Sequence, residues 1–482
     1  MALIHKFKQG ENYFVLDVNT GAVHIVDELV YDLVDDNKMS IDNDLELISS
    51  FEKEYCINVF APLQVAFSHG KGVYLYGVDG KKYMDMIGGI AVNSLGHGNR
   101  ALTKAISTQA KKLIHCCNYY LIPQRAELAY KLCSKTFADK CFFSNSGAEA
   151  NEAAIKIARG YFYHKGIDKN EIITAKMSFH GRTLLTCCAT GQEKFRRPFA
   201  PYCPGFSYAE FNNFEDLESL ITDKTAAIML ELIQGESGVN PASLEYIKNV
   251  RKLCTDRGVL LIIDEVQTGI GRTGKLFCYE NYGIKPDILT TAKGLGGGVP
   301  IGAMLCTDEV AKGFLPGDHG STFGGNPLCC AAANAVLDEI SNKFILDNVI
   351  EVSEALIAQL KNLKSKYSAI TSVRGMGLLI GIDFSDNFTA VGLKQRFLSE
   401  GFLVSSIGEH TIRIAPPLII SKKEAMIFCN ALEKILKSDK KTSGFKKAGQ
   451  AIPVEINKKD NTAEAKEDTK NELNNDSNEL EE

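Results

Sequence analysis

The chain has 482 residues, 45% of them hydrophobic, and a formal net charge of −5. That length and apolar content support a large core and more than one domain, while the weakly acidic balance offers no footprint for nucleic acid or an anionic membrane. No apolar run reaches the roughly 20 residues of a membrane span, and the start "MALIHKFKQGENYF" lacks the apolar core of a secretory signal, so a cytoplasmic protein acting on small molecules or protein subunits is expected.

Fourteen cysteines include the neighbours Cys116-Cys117, Cys187-Cys188 and Cys329-Cys330, but no C-x-x-C and no Cys/His group with metal-ligand spacing. They are expected to be reduced thiols packed as small apolar residues, with no metal site. At the N-terminus, "YFVLDVNTGAVHIVDELVYDLVDD" places β-branched residues on both sides of the turn signal Asn19-Thr20-Gly21. Strand, turn, strand and a short helix follow from this, in a separate β-rich module over 1–50.

Further on, helical patterns alternate with short runs that are apolar throughout, such as Ala226 to Ile233 and Gly258 to Val266. Runs of this kind imply an α/β fold with a mostly parallel sheet covered on both faces. Ligands bind such sheets outside the carboxyl ends of the strands, so those ends are where chemistry is sought. "FFSNSGAEANEAAIKIAR" (Phe142 to Arg159) is an apolar stub, a polar turn and a helix. Ser146 and Glu149 have capping-box spacing, and Gly147 and Ala148 are small enough to admit an anion to the first free amides. Any surface helix begins this way too.

"SFHGRT" supplies an aromatic, Phe179, with a guanidinium, Arg182, close behind; core packing and a surface charge are the plain alternatives. After "VLLII" come Asp264, Glu265, Val266 and Gln267. An acid at the end of a buried strand needs a partner, which a helix cap or an ion pair would also supply. Gly269 to Gly274 matches G-x-G-x-x-G, yet the following "LFCYENYGIKPD" reads as loop rather than as the helix a dinucleotide fingerprint opens.

In "TTAKGLGGGVPIGA", Lys293 is the lone charge, and it precedes the glycines where a Walker lysine would follow them. "HGSTFGGNP" is a second glycine-rich loop, with hydroxyls on Ser321 and Thr322, and "TIRIAPPL" sets Arg413 between isoleucines. An arginine there faces solvent or captures a carboxylate bidentately. The end of the chain, rich in Lys, Glu, Asn and Asp, is expected to be a disordered tail over 439–482.

Taken together, a phosphate cup, an aromatic platform, a strand-end acid and an isolated lysine describe a pyridoxal-phosphate pocket. A lysine in an apolar, water-poor site has its pKa lowered and becomes nucleophilic toward an aldehyde. From about Tyr55 to Leu436 the chain resembles the class III (fold type I) aminotransferases, nearest to the acetylornithine aminotransferases, through "GIAVNSLGH", "NSGAEANEAAIKIAR", "FHGRT", "ELIQGESGV", "DEVQTGIGRTG", "TTAKGLGGGVPIGA", "STFGGNPL" and "RIAPPL". Leu232 departs from the proline usual in that family, and a local backbone effect is expected.

The resemblance implies a pyridoxal-phosphate transferase of fold type I. Its large cofactor domain, with a mostly parallel seven-stranded sheet, would cover 111–335. A smaller α+β domain would form from 51–110 and 336–438. It implies Lys293 as the Schiff-base lysine and proton carrier and Asp264 as the partner of the pyridine nitrogen. Gln267 would bond the ring hydroxyl, Val266 and Phe179 sandwich the ring, and Gly147 and Ala148 hold the phosphate. Thr322 would reach the phosphate of a neighbouring subunit, with Ser321 near substrate, in a homodimer with shared sites. Glutamate would set its α-carboxylate on Arg413 and its side-chain carboxylate on Arg182, whereas an ω-amine would reach Arg182 alone while Glu236 pairs with Arg413. Ile90 stands where ornithine aminotransferases carry a tyrosine, which favours an acylated α-amino group, as in N-acetylornithine. The N-terminal segment itself resembles the peptide-docking segment of radical enzymes that build thioether crosslinks, without their C-x-x-x-C-x-x-C motif; a structural appendage on a metabolic enzyme is the favoured expectation, and docking of a peptide or protein partner the alternative.

Overall fold

The runs that are apolar on both faces become the central strands of one sheet. The computed structural model describes residues 4–17, 22–26 and 44–443. Seven strands lie in the spatial order Lys140–Ser144, Gly302–Cys306, Ile288–Thr291, Leu260–Asp264, Thr225–Glu231, Glu171–Ala175 and Phe206–Ala209. The strands from Ile288–Thr291 to Phe206–Ala209 pair in parallel, whereas Gly302–Cys306 runs against both of its neighbours. Every residue of Thr225–Glu231 and Leu260–Asp264 is buried, as expected of strands covered on both faces.

Register then does the positioning. Glu231 lies opposite Asp264, and Asp264 opposite Thr290, so two acids and a hydroxyl stand in one row at the carboxyl edge of the sheet. The helix Gly147–His164 covers this region, and Ala150, Ala153, Ala154 and Ala158 among its buried residues are small enough to let its backbone come close to the strands.

Two four-stranded sheets lie outside the central one. Ile370–Met376, Leu379–Phe384, Thr411–Ile414 and Ser405–Ile407 form an antiparallel sheet, and Phe67–Lys71, Tyr74–Gly77, Lys82–Asp85 and Phe402–Leu403 a mixed one. They meet where the Ala415 amide donates to the Met86 carbonyl at 2.7 Å. The last helix, Lys422–Ser443, continues past Ser438, so helical structure extends into the expected tail; residues 444–482 lie outside those described.

The N-terminal module has one strand more than its hairpin signal predicts. Ile4–Gln9, Asn12–Asp17 and Ala22–Val26 form a three-stranded antiparallel sheet. Gly10, at φ 66°, opens the two-residue turn between the first two strands, a conformation that favours glycine. The turn Asn19-Thr20-Gly21 and the expected helix after Val26 fall outside the described residues. All fourteen cysteines are free. Among the described residues no helix is long and apolar enough to cross a membrane.

Candidate active site

At the carboxyl edge, the strand Lys140–Ser144 turns into the helix Gly147–His164. Ser146 caps it, its hydroxyl accepting from the Glu149 amide at 3.2 Å. Glu149 reaches back to the Asn145 amide at 2.7 Å, one residue further out than a capping box requires. Gly147 and Ala148, whose amides belong to the unpaired first turn, line a cavity of about 230 Å³. A Cβ on Gly147 would stand 2.7 Å from Val266 Cγ1, so only glycine lets the helix start and Val266 share this wall.

Asp264, 4% exposed, is the acid of the cavity floor. Its Oδ2 accepts from His180 Nδ1 at 2.8 Å and from Asn151 Nδ2 at 2.7 Å, and its Oδ1 from the Val266 amide at 3.0 Å. Three donors thus satisfy the acceptors of this buried side chain. Asn151 is itself oriented by the Thr290 hydroxyl, which donates to its Oδ1 at 2.6 Å. Neither His180 nor Asn151 was singled out in the sequence, although Asn151 lies one turn beyond Gly147 and His180 sits inside "SFHGRT". Glu231, also unforeseen as a site residue, accepts the Phe179 amide at 3.0 Å, and burial pushes its carboxyl up to about 7.

Lys293 comes two residues after the strand Ile288–Thr291 and lines the same cavity as the helix start. Its φ of 35° is unusual for a residue with a side chain and marks local strain at the turn. Burial lowers the pKa of its amine, Glu236 works the other way, and the positive charge of Arg413 lowers it further. A greater share of neutral amine is what a nucleophile toward an aldehyde needs.

Glu236, Gln267 and Arg413 close one side. Arg413 Nη1 donates to Glu236 Oε1 at 2.6 Å, to the Gly235 carbonyl at 3.0 Å and to Gln267 Oε1 at 3.3 Å, while Gln267 Nε2 donates to Glu236 Oε1 at 3.1 Å. Burial raises the Glu236 pKa, but the Arg413 and Lys293 charges bring it below the ordinary carboxylate range. A Cβ on Gly235 would meet Gln267 Oε1 at 1.8 Å, so a larger residue there would displace the Gln267 amide from its place beside Glu236 and Arg413. Phe179 and Arg182 also line the cavity, and Arg182 is exposed.

Ser321 lies beside the helix start, its hydroxyl accepting from Asn145 Nδ2 at 3.1 Å. Thr322 is exposed and lines no part of the cavity. The run Gly269–Gly274 opens no helix of its own, and only the single turn Tyr279–Tyr282 interrupts the loop after it.

The donor set fits pyridoxal phosphate. Helix-start amides match a phosphate, a buried carboxylate matches a ring nitrogen that must stay protonated, and a pKa-lowered lysine matches an aldehyde. Comparison with known proteins agrees. Residues 58–436 match the aminotransferase class-III family model. The acetylornithine aminotransferase of Methanocaldococcus jannaschii is 47% identical over 405 residues, covering 84% of this chain and 100% of the relative. That of Aquifex aeolicus is 46% identical, covering 79% and 100%. Among solved structures, an ornithine aminotransferase from Toxoplasma gondii superposes with a TM-score of 0.80 at 30% identity, over 83% of this chain and 96% of that one. An acetylornithine aminotransferase from Elizabethkingia anophelis gives 0.75 at 34%, over 82% and 99%. The chain belongs to the class-III aminotransferases, which work with pyridoxal 5′-phosphate.

Proposed function

We propose that this chain moves the ω-amino group of N-acetylornithine to 2-oxoglutarate, giving N-acetylglutamate semialdehyde and glutamate in a ping-pong cycle of arginine biosynthesis. The observation that carries this reading is the pair of arginines: Arg413 covered by Glu236 at 2.6 Å, and Arg182 without an ion pair among the described residues. One carboxylate site is masked and one is open, which suits a cycle whose two amino donors differ by one carboxylate near the reacting carbon. The relatives' names and Ile90, a hydrocarbon where ornithine aminotransferases carry a tyrosine, support an acylated donor over free ornithine; succinylornithine and 4-aminobutyrate are the competing ω-amines.

Bound pyridoxal phosphate supplies the aldehyde and an electron-accepting ring. The rest is work for this chain. Gly147 and Ala148 would hold the phosphate, Val266 and Phe179 would flank the ring, Gln267 would bond its hydroxyl, and Asp264 would keep its nitrogen protonated. Lys293 would bond the aldehyde and carry the proton on and off the substrate carbon. Arg182 takes the distal carboxylate of either donor. Arg413 takes the α-carboxylate of glutamate after Glu236 has moved aside, and Glu236 stays in place for the ω-amine.

Half-reactions separate these roles. Among ω-amines screened against 2-oxoglutarate, N-acetylornithine is expected to give the highest kcat/KM. Replacing Glu236 by Ala should cost the N-acetylornithine half-reaction about tenfold more than the glutamate one, because Arg413 is then left uncovered. An equal loss in both would sink the switch.

The exposed Leu113, Ile114, Tyr119, Tyr120, Leu121 and Phe323 support a homodimer, in which Ser321 and Thr322 complete the neighbouring site. A peptide partner for the N-terminal sheet is supported by Val23 and Ile25, which are 53% and 71% exposed. Deleting residues 1–50 should leave N-acetylornithine kinetics unchanged and remove peptide binding. Retained binding would exclude that docking role.

A further inference from the structure

Arg182 makes no hydrogen bond and no ion pair among the described residues, yet it does not hang free. Its guanidinium lies 4.0 Å from the ring centroid of Phe195 and 5.6 Å from that of Phe179. The two rings meet edge to face, 5.6 Å apart at 82°. Phe179 lines the cofactor cavity and Phe195 does not, so Phe195 stands behind the arginine as a support.

Phe195 belongs to the short helix Glu193–Arg196, which is tied on several sides. Cys187 Sγ donates to the Phe195 carbonyl at 2.8 Å. Gln192, the residue before the helix, donates through Nε2 to the carbonyls of Met177 at 3.3 Å and Ser178 at 3.1 Å, the residues that lead into Phe179. The Lys194 ammonium lies 4.8 Å from the same Phe195 ring, adding positive charge there.

A guanidinium hydrogen-bonds through its edge and is weakly hydrated on its face. Stacked on a ring, its face is occupied by the π system while its N–H groups stay free for a planar carboxylate. An arginine held in that way has already given up the side-chain freedom that docking a carboxylate would otherwise cost.

We propose that Phe195 is the positioning residue for Arg182, and through it sets the preference for amino donors that carry a distal carboxylate over amines that lack one. The inference rests on the reading of Arg182 as the distal carboxylate site. It assigns no contact between Phe195 and substrate.

Single-turnover half-reactions of the holoenzyme test it, with N-acetylornithine, glutamate and the carboxylate-free donor n-pentylamine. Phe195→Leu should weaken apparent binding of both carboxylated donors about tenfold, leaving their limiting rate and the n-pentylamine reaction within about twofold of the parent. Phe195→Trp, which keeps a π face, should retain the parent preference, and Phe195→Met, which keeps bulk without a ring, should lose it like Leu. An equal loss on all three donors would mean that Phe195 only supports the fold, and unchanged binding in Leu and Met would mean that the stack does nothing; either overturns the proposal. Arg182→Met separates the two layers. If it leaves the preference for carboxylated donors intact, the reading of Arg182 fails; if it abolishes the preference while Phe195→Leu and Phe195→Met do not, only the role of Phe195 fails.

Discussion

Lys293→Ala is expected to lower kcat by about four orders of magnitude, because in the proposed cycle one residue both holds the cofactor covalently and carries the proton. Its place supports this reading. It is set at the end of a central strand, at φ 35°, in the same cavity as Asp264 and the helix-start amides. The variant should stay folded. Burial lowers the lysine pKa in the native state, so between the native and unfolded pKa values the unfolded chain binds more protons, and this group's contribution to stability rises with pH. The lowered pKa therefore makes this group a cost to folding below its unfolded pKa, and its removal should not lower the Tm of the cofactor-free protein. Single-turnover rates with N-acetylornithine, with and without a small primary amine added to replace the lost side chain, measure the effect. A loss smaller than about tenfold would take the lysine out of the chemistry.

Asp264→Asn should cost about three orders of magnitude in kcat with the cofactor still bound, the scale of losing a preorganised charge in a dry site. The carboxylate accepts from His180, Asn151 and the Val266 amide. An asparagine there removes the charge and turns an amide N–H₂ toward groups that are already donors. Unpaired buried donors cost about 1–3 kcal/mol each, so a lower Tm should accompany the lost rate. Asp264→Glu keeps the charge and should recover part of the activity; recovery no better than with asparagine would locate the defect in packing rather than in charge.

Much of this was legible in the residues. Apolar runs located Thr225–Glu231 and Leu260–Asp264, and with them the edge where the acids stand. Ser146 and Glu149 located the helix start. What the sequence hid was contact across distance. His180 and Asn151 reach Asp264 from 84 and 113 residues away, and in one dimension a buried histidine reads as an ordinary core residue. The reversed strand Gly302–Cys306 was open to inference, since residues 292–301 hold only a 3-10 turn, too little for the crossover that a parallel neighbour requires. The extra N-terminal strand was signalled by Gly10 between two alternating runs. Phe195 gave no signal, because a cation on a ring is a three-dimensional fact.

The bond from Arg413 to the Gly235 carbonyl bears on speed. It is independent of Glu236, so the guanidinium remains anchored while the carboxylate in front of it is exchanged. On the proposed switch, passing from one donor to the other is a rotation of a single glutamate about its own side-chain bonds, with no loop to open and no strand to shift. Such rotations take picoseconds to nanoseconds at exposed positions, and even with a large penalty for burial they stay far faster than typical turnover at about 10 s⁻¹. Alternation between donors would then add no waiting time to the catalytic cycle, and the enzyme would run at the rate of its bond-making steps or of product release.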